Sequence, residues 1–92
     1  MGKRNSYELH LFTASWCKCC RQQKEKFADW VPPVKLFVHD IDSKDSFFKS
    51  KDYGITDVPT TVLVRDDGQV IWKWVDVTEP KEIENYINKL FI

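Results

Sequence analysis

The chain predicts an α/β fold: a mixed four-stranded sheet flanked by helices on both faces, in the order β-α-β-α-β-β-α. Three observations predict it. Short stretches alternate with a period of two and read as strands, while others repeat at three- and four-residue steps and read as helices. A strand, a helix and another strand follow one another within about 35 residues, which makes a right-handed βαβ unit with parallel strands. A second pair of strands is joined by the tight turn Asp66-Asp67-Gly68 and must be antiparallel.

Tyr7 to Phe12 alternates Tyr7, Leu9 and Leu11 against Glu8, His10 and Phe12, as a strand does. Thr13 to Trp16 is a loop. From about Cys17 to Trp30 the pattern is helical, with Cys20, Gln23, Phe27 and Trp30 as the inward stripe and Pro32-Pro33 closing the helix. Val34 to His39 is the second strand. Asp42 to Asp45 is a polar turn leading into a short helix, Ser46 to Tyr53, which Gly54 stops. Thr60 to Arg65 is β-branched, and Gln69 to Val75 returns beside it with Trp72 and Trp74 on one face. Thr78 is placed to cap the last helix, with Pro80 in its first turn and Ile83, Tyr86, Ile87 and Leu90 buried.

Composition narrows the function. At 92 residues, residues 1–92 read as one domain. Fourteen Lys and Arg balance fourteen Asp and Glu, so no overall basic excess exists to hold nucleic acid. The charge is segregated: residues 1–26 carry six bases against Glu8 and Glu25, and the remainder is acidic. No apolar run approaches a membrane span, and the basic start, Met1 to Ser6, is followed by no signal-peptide core. That start also matches a loose myristoylation pattern, as many unrelated sequences do. The expectation is a soluble, cytoplasmic monomer.

The three cysteines fall within four positions, so they cannot staple distant parts of the chain. Cys17 and Cys20 form a Cys-x-x-Cys pair at a helix start. Their i, i+3 spacing brings both sulfurs to one face within disulfide reach. The helix N-terminus, with Lys18 and Arg21 nearby, favours the thiolate of the first cysteine. Cys17 is therefore expected as an exposed nucleophile and Cys20 as its sheltered partner.

Cys19 admits three readings: bystander, second resolving or glutathionylated thiol, or metal ligand. In the metal reading, Cys17, Cys19 and Cys20 together hold a soft metal or metalloid ion, a binding module rather than an enzyme. Zinc would require a fourth ligand, and His10 and His39 are not obviously close.

Ser15-Trp16-Cys17-Lys18-Cys19-Cys20 after a strand, with Val58-Pro59 before another, resembles the thioredoxin superfamily over Tyr7 to Leu90. The short N-terminal layout is similar to glutaredoxins and small glutaredoxin-like thioredoxins. However, Val75-Asp76-Val77-Thr78 lacks the Gly-Gly pair with which glutaredoxins hold glutathione, and Trp16 fits the thioredoxin side.

The resemblance implies a thioredoxin-like fold and thiol–disulfide exchange, most simply reduction of a protein disulfide by the Cys17–Cys20 dithiol. It needs no cofactor, and an upstream reductase or glutathione recharges it. It also implies that Pro59 is a cis-proline and that the backbone of Val58 pairs with substrate beside Trp16. The family's Gly-Pro between the cysteines is Lys18-Cys19 here. Its buried Asp aligns with Leu11 and its Lys with Val38, which leaves Cys20 without a carboxylate to take its proton.

Overall fold

The computed structural model describes residues 6–91; the basic start and its myristoylation pattern, apart from Ser6, lie outside them. Seven elements follow in the expected order: β1 Tyr7–Thr13, α1 Lys18–Ala28, β2 Lys35–Asp40, α2 Lys44–Asp52, β3 Thr60–Arg65, β4 Val70–Val75 and α3 Pro80–Leu90. The sheet order is β2-β1-β3-β4. β1 runs parallel to β2 and antiparallel to β3, and β3 pairs antiparallel with β4. Among the described residues, no helix is long and apolar enough to cross a membrane.

Strand alternation sorts the core into two layers. Leu9 and Leu11 of β1 and Leu63 of β3 pack with Phe27 of α1 and Ile83 and Ile87 of α3. Phe12, Val62 and Val64 point the opposite way and pack with Ile55 and Tyr53, at the end of α2. The central strand β3 is therefore covered on both faces, whereas β2 and β4 are edges with exposed positions such as Val38 and Trp72.

The β3–β4 register shifts between Leu63 and Val64, so Val64 pairs with Val70 and Ile71 is an extra residue. That bulge lets Val70 join one core layer while Ile71 joins the other. Trp72 and Trp74 do share a face, each packing on Tyr86 of α3 at ring separations of 5.7 and 5.4 Å.

Several boundaries differ from the sequence reading, each for a local reason. α1 ends at Ala28, so Trp30 lies beyond it; its indole N–H instead donates to Glu84 of α3 at 3.0 Å. α2 begins at Lys44, before Ser46, because the Ser43 hydroxyl accepts the Ser46 N–H and caps the first turn. Gly54 does stop this helix. Its φ of +69° turns the chain so that Ile55 N–H reaches back to Ser50 C=O at 2.8 Å, a bond that closes the last turn. Thr78 does not cap α3. The preceding-residue role falls to Glu79, whose side chain makes no cap bond, and the Thr78 hydroxyl donates to Asp76 C=O.

The two histidines lie on neighbouring strands beneath α2, in contact with each other. His10 Nδ1 is 2.7 Å from His39 Nε2, and His10 Nε2 is 3.1 Å from Glu8 Oε1. Glu8 can only accept, so neutral His10 donates through Nε2 and accepts at Nδ1, and His39 donates through Nε2. Phe37 stacks on His10, Phe12 on His39, and Tyr53 packs against His10.

Burial holds both imidazoles neutral. It lowers the His10 pKa against the weaker opposing effect of the hydrogen bond His10 donates to Glu8, and lowers that of His39 to about 4, helped by His10 and Lys49. The unfolded chain takes up protons near 6.5 that the folded chain refuses until lower pH. Stability should therefore fall as pH drops from about 7 towards 4 and level off once His39 titrates in the folded state. Urea unfolding at several pH values should show a shallower loss over this window in His39→Gln than in the parent chain.

Candidate active site

β1 ends at Thr13, and four residues later Cys17 occupies the N-cap of α1. No Ser, Thr, Asp or Asn stands there; the Cys17 sulfur itself accepts the Cys20 N–H at 3.2 Å. The sulfur thus meets an otherwise orphan donor at the positive end of the helix, a geometry suited to a thiolate. On its other side Cys17 Sγ lies 3.7 Å from the Val58 carbonyl oxygen, to which the protonated thiol donates. Ala14, Cys17 and Cys20 form an apolar cluster against Ile41 and Val58.

The two thiols have different environments. Cys20 is 1% exposed and its pKa is pushed up to about 12, first by burial, then by the hydrogen bond to Cys17. Cys17 is not the openly exposed sulfur expected: it is only 8% exposed, because Val58 and Ile41 pack against its cluster. Access comes through a groove of about 460 Å³, lined by Trp16, Cys17, Lys18, Asp57, Val58 and Asp76 among others. All three cysteines are free.

The Val58–Pro59 peptide bond is cis. Val58 precedes β3, so its backbone lies outside the sheet ladder, beside Cys17. Trp16, expected beside the bound substrate, is 71% exposed and stands between two grooves. Its loop is tied elsewhere: Asp42 accepts both the Ser15 N–H at 3.2 Å and the Ser15 hydroxyl at 2.6 Å. Those bonds hold the Asp42 carboxyl below its usual pKa.

Cys19 faces solvent at the groove's edge and does not join the Cys17–Cys20 cluster. Among the described residues, no group of three or more His, Cys, Asp and Glu side chains is arranged to hold a metal ion, so the three thiolates do not converge on one. His10 and His39 pair with each other, and among the described residues neither completes a metal-holding group with the cysteines. Lys18 and Arg21 are exposed on α1, and the cation that acts on Cys20 is Lys24. Leu11, at the position expected to lack a carboxylate, is fully buried in the apolar layer beneath α1 and α3.

Gln23 has a part that the helical stripe alone did not disclose. Fully buried on α1, it donates to Thr78 C=O at 2.9 Å and accepts the Thr78 N–H at 2.7 Å. This two-point clamp anchors the segment after β4, which lines the groove through Asp76 beside Val75 at the strand end. Asp57 and Asp76 were likewise invisible as groove residues, since nothing in their local sequence brings two loops to one place.

A reactive dithiol at a helix start, set against an X-cis-Pro loop in this fold, defines a thiol–disulfide oxidoreductase. Comparison with known proteins agrees. The sequence profile described as Thioredoxin matches residues 3–89, and the chain belongs to the thioredoxin family. No curated protein matches the sequence.

Solved structures do resemble it. A mutant thioredoxin from Halobacterium salinarum superposes with a TM-score of 0.75 at 24% identity, covering 92% of this chain and 74% of that one. Fasciola hepatica thioredoxin gives 0.71 at 25% identity over 92% and 83%. Mitochondrial thioredoxin 3 from Saccharomyces cerevisiae gives 0.68 at 28% identity over 95% and 81%. Thiol–disulfide exchange is thus the chain's chemistry.

Replacing Gln23 by Leu keeps the volume but strips both partners from a buried backbone N–H and C=O. The loss should be about 2–6 kcal/mol in urea unfolding, at roughly 1–3 kcal/mol for each group left unpaired.

Proposed function

We propose that the chain reduces disulfides in protein substrates through Cys17 and Cys20. The observation that carries this reading is the asymmetric dithiol: Cys17 Sγ bonded to the Cys20 N–H at the start of α1, with Cys20 buried and held protonated. Trp16 and Val58 line the groove beside the nucleophile as the substrate platform, with the fully buried Pro59 setting the cis bond behind Val58. Lys18 and Cys19 line the groove as auxiliary groups, with Arg21 exposed further along α1 and Cys19 a bystander thiol in this reading.

The Cys17 thiolate attacks one sulfur of the substrate disulfide, forming a mixed disulfide and expelling the other sulfur as a thiolate, which takes up a proton. Cys20 then loses its proton and attacks Cys17 Sγ. The mixed disulfide breaks, the second substrate sulfur leaves as a thiol, and Cys17–Cys20 becomes the disulfide. Two electrons pass from the dithiol to the substrate, and an external thiol reductant, a reductase or glutathione, must return them. Reduction of this kind belongs to a reducing compartment, which supports a cytoplasmic location. The protein works as a monomer in this scheme, since both thiols and the platform come from one chain.

Turnover of insulin disulfides with dithiothreitol as reductant tests the reading. The parent chain should be active, and Cys17→Ser should abolish activity. Cys20→Ser should retain the first attack and accumulate a covalent adduct on Cys17, visible as the added mass of the substrate thiol. An inactive parent chain, or an active Cys17→Ser variant, would refute the proposal.

The second step has its own signature. Burial is the leading cause of the high Cys20 pKa, and it persists after Cys17 enters the mixed disulfide. With Leu11 where the family places a carboxylate, the proton must go to water or to the substrate. Single-turnover release should therefore quicken about tenfold per pH unit across pH 6–9, following the thiolate fraction, without a plateau near neutrality. Quenched-flow measurement of released substrate thiol would read this slope.

A further inference from the structure

The groove beside Cys17 is built from three separate segments. α1 contributes Lys18 and Cys19, the loop before β3 contributes Asp57 and Val58, and the end of β4 with the residue after it contributes Val75 and Asp76. Its apolar floor suits an extended polypeptide, but its charge is unbalanced. Asp57 and Asp76 are both exposed, and neither forms an ion pair among the described residues. Asp57 also lines the neighbouring groove of about 300 Å³ on the far side of Trp16, which Lys51 lines as well. Lys18 is the one base among the residues lining the groove beside Cys17. The Cys17 thiolate, when formed, adds a further negative charge.

Asp76 is held in place with some care. Its φ of +72° is the left-handed region that favours glycine, and it is the one non-glycine residue there among those described. Its N–H donates to Pro59 C=O at 2.8 Å, and its carboxylate accepts the Val77 N–H at 2.8 Å. These bonds fix the turn, and with it the position of the side chain at the groove, while the carboxylate keeps a free oxygen. The Gln23 clamp two residues on restrains the same segment.

We infer that the groove selects disulfides whose attacked cysteine is flanked by lysine or arginine, with Asp57 and Asp76 as the specificity-determining residues. The inference rests on the proposed attack by Cys17 and adds the substrate class. A strand lying across the groove beside Val58 brings residues adjacent to its cysteine alongside the two carboxylates. Their attraction acts before chemistry, through encounter and binding, and salt screens it because both groups are exposed.

The test uses two synthetic peptide disulfides, identical except for Lys or Glu on both sides of the cysteine. Each rate is divided by the rate of the same peptide with dithiothreitol, which removes any intrinsic difference in leaving-group reactivity. At low salt the parent chain should favour the Lys peptide about three- to tenfold in kcat/KM, mainly through KM. The preference should shrink towards unity in about 0.5 M salt. The Asp57→Asn/Asp76→Asn variant should bring the ratio within about twofold of unity; asparagine tolerates the left-handed backbone at position 76.

Equal normalised rates for the parent chain, a preference for Glu, or a Lys preference insensitive to salt would overturn the inference. So would a preference that survives intact in the double variant. If that variant fails to fold, the salt dependence of the parent chain still decides. A parent chain that reduces insulin but does not discriminate between the peptides refutes the selectivity alone. A chain that reduces neither insulin nor peptide refutes the proposed function and the selectivity with it.

Discussion

The sulfur of Cys17 is the point on which the rest of the structure converges. It replaces the usual oxygen at the N-cap of α1, accepting the Cys20 N–H, and it lies against the Val58 carbonyl from the opposite loop. Both contacts require that β1 deliver the chain to the start of α1 and that the chain entering β3 return beside it. The antiparallel pairing of β1 with β3, from Tyr7 opposite Arg65 to Phe12 opposite Thr60, provides this: Thr60 ends next to Phe12, with Val58 two residues before it. A shift of register would exchange the two faces of the strand and carry the loop away from the sulfur.

The surrounding loops are tied to the rigid elements by polar bonds as well as by the apolar packing of Ala14, Ile41 and Val58 around the cysteines. Asp42 holds Ser15 on one side of the nucleophile, and Gln23 holds Thr78 on another. Trp16 shares the Asp42 tether through its own side chain, yet most of its ring stays exposed beside the groove. The same packing separates the two thiols. Cys20 points into the helix–loop packing and keeps its proton, whereas Cys17 borders the groove.

The order of elements was readable because each strand and helix carries its own periodicity, and because Gly54 and Gly68 mark turns that need a positive φ. Helix ends were less legible. Ser43 is one of several polar residues that can cap α2, and the choice is made by where the chain leaves β2. Thr78 looks like a cap by type, but tertiary contacts with Gln23 and Asp76 engage it instead. The β4 bulge has no local mark either: Ile71 is extra only because Val64 pairs with Val70. His10 and His39 are 29 residues apart, and their contact follows from strand pairing that no local pattern encodes.

By itself the sequence determined the element order, the i, i+3 pairing of Cys17 with Cys20, and the presence of Val58-Pro59 ahead of a strand. All of these are local, set by the geometry of one helix turn or one strand. Only the tertiary structure decided that Cys17 is nearly buried, that Cys19 stands outside the thiol cluster, and that Asp57 and Asp76 share a groove with the nucleophile. Burial and charge at this site depend on which distant segments meet there, and that meeting is a property of the sheet.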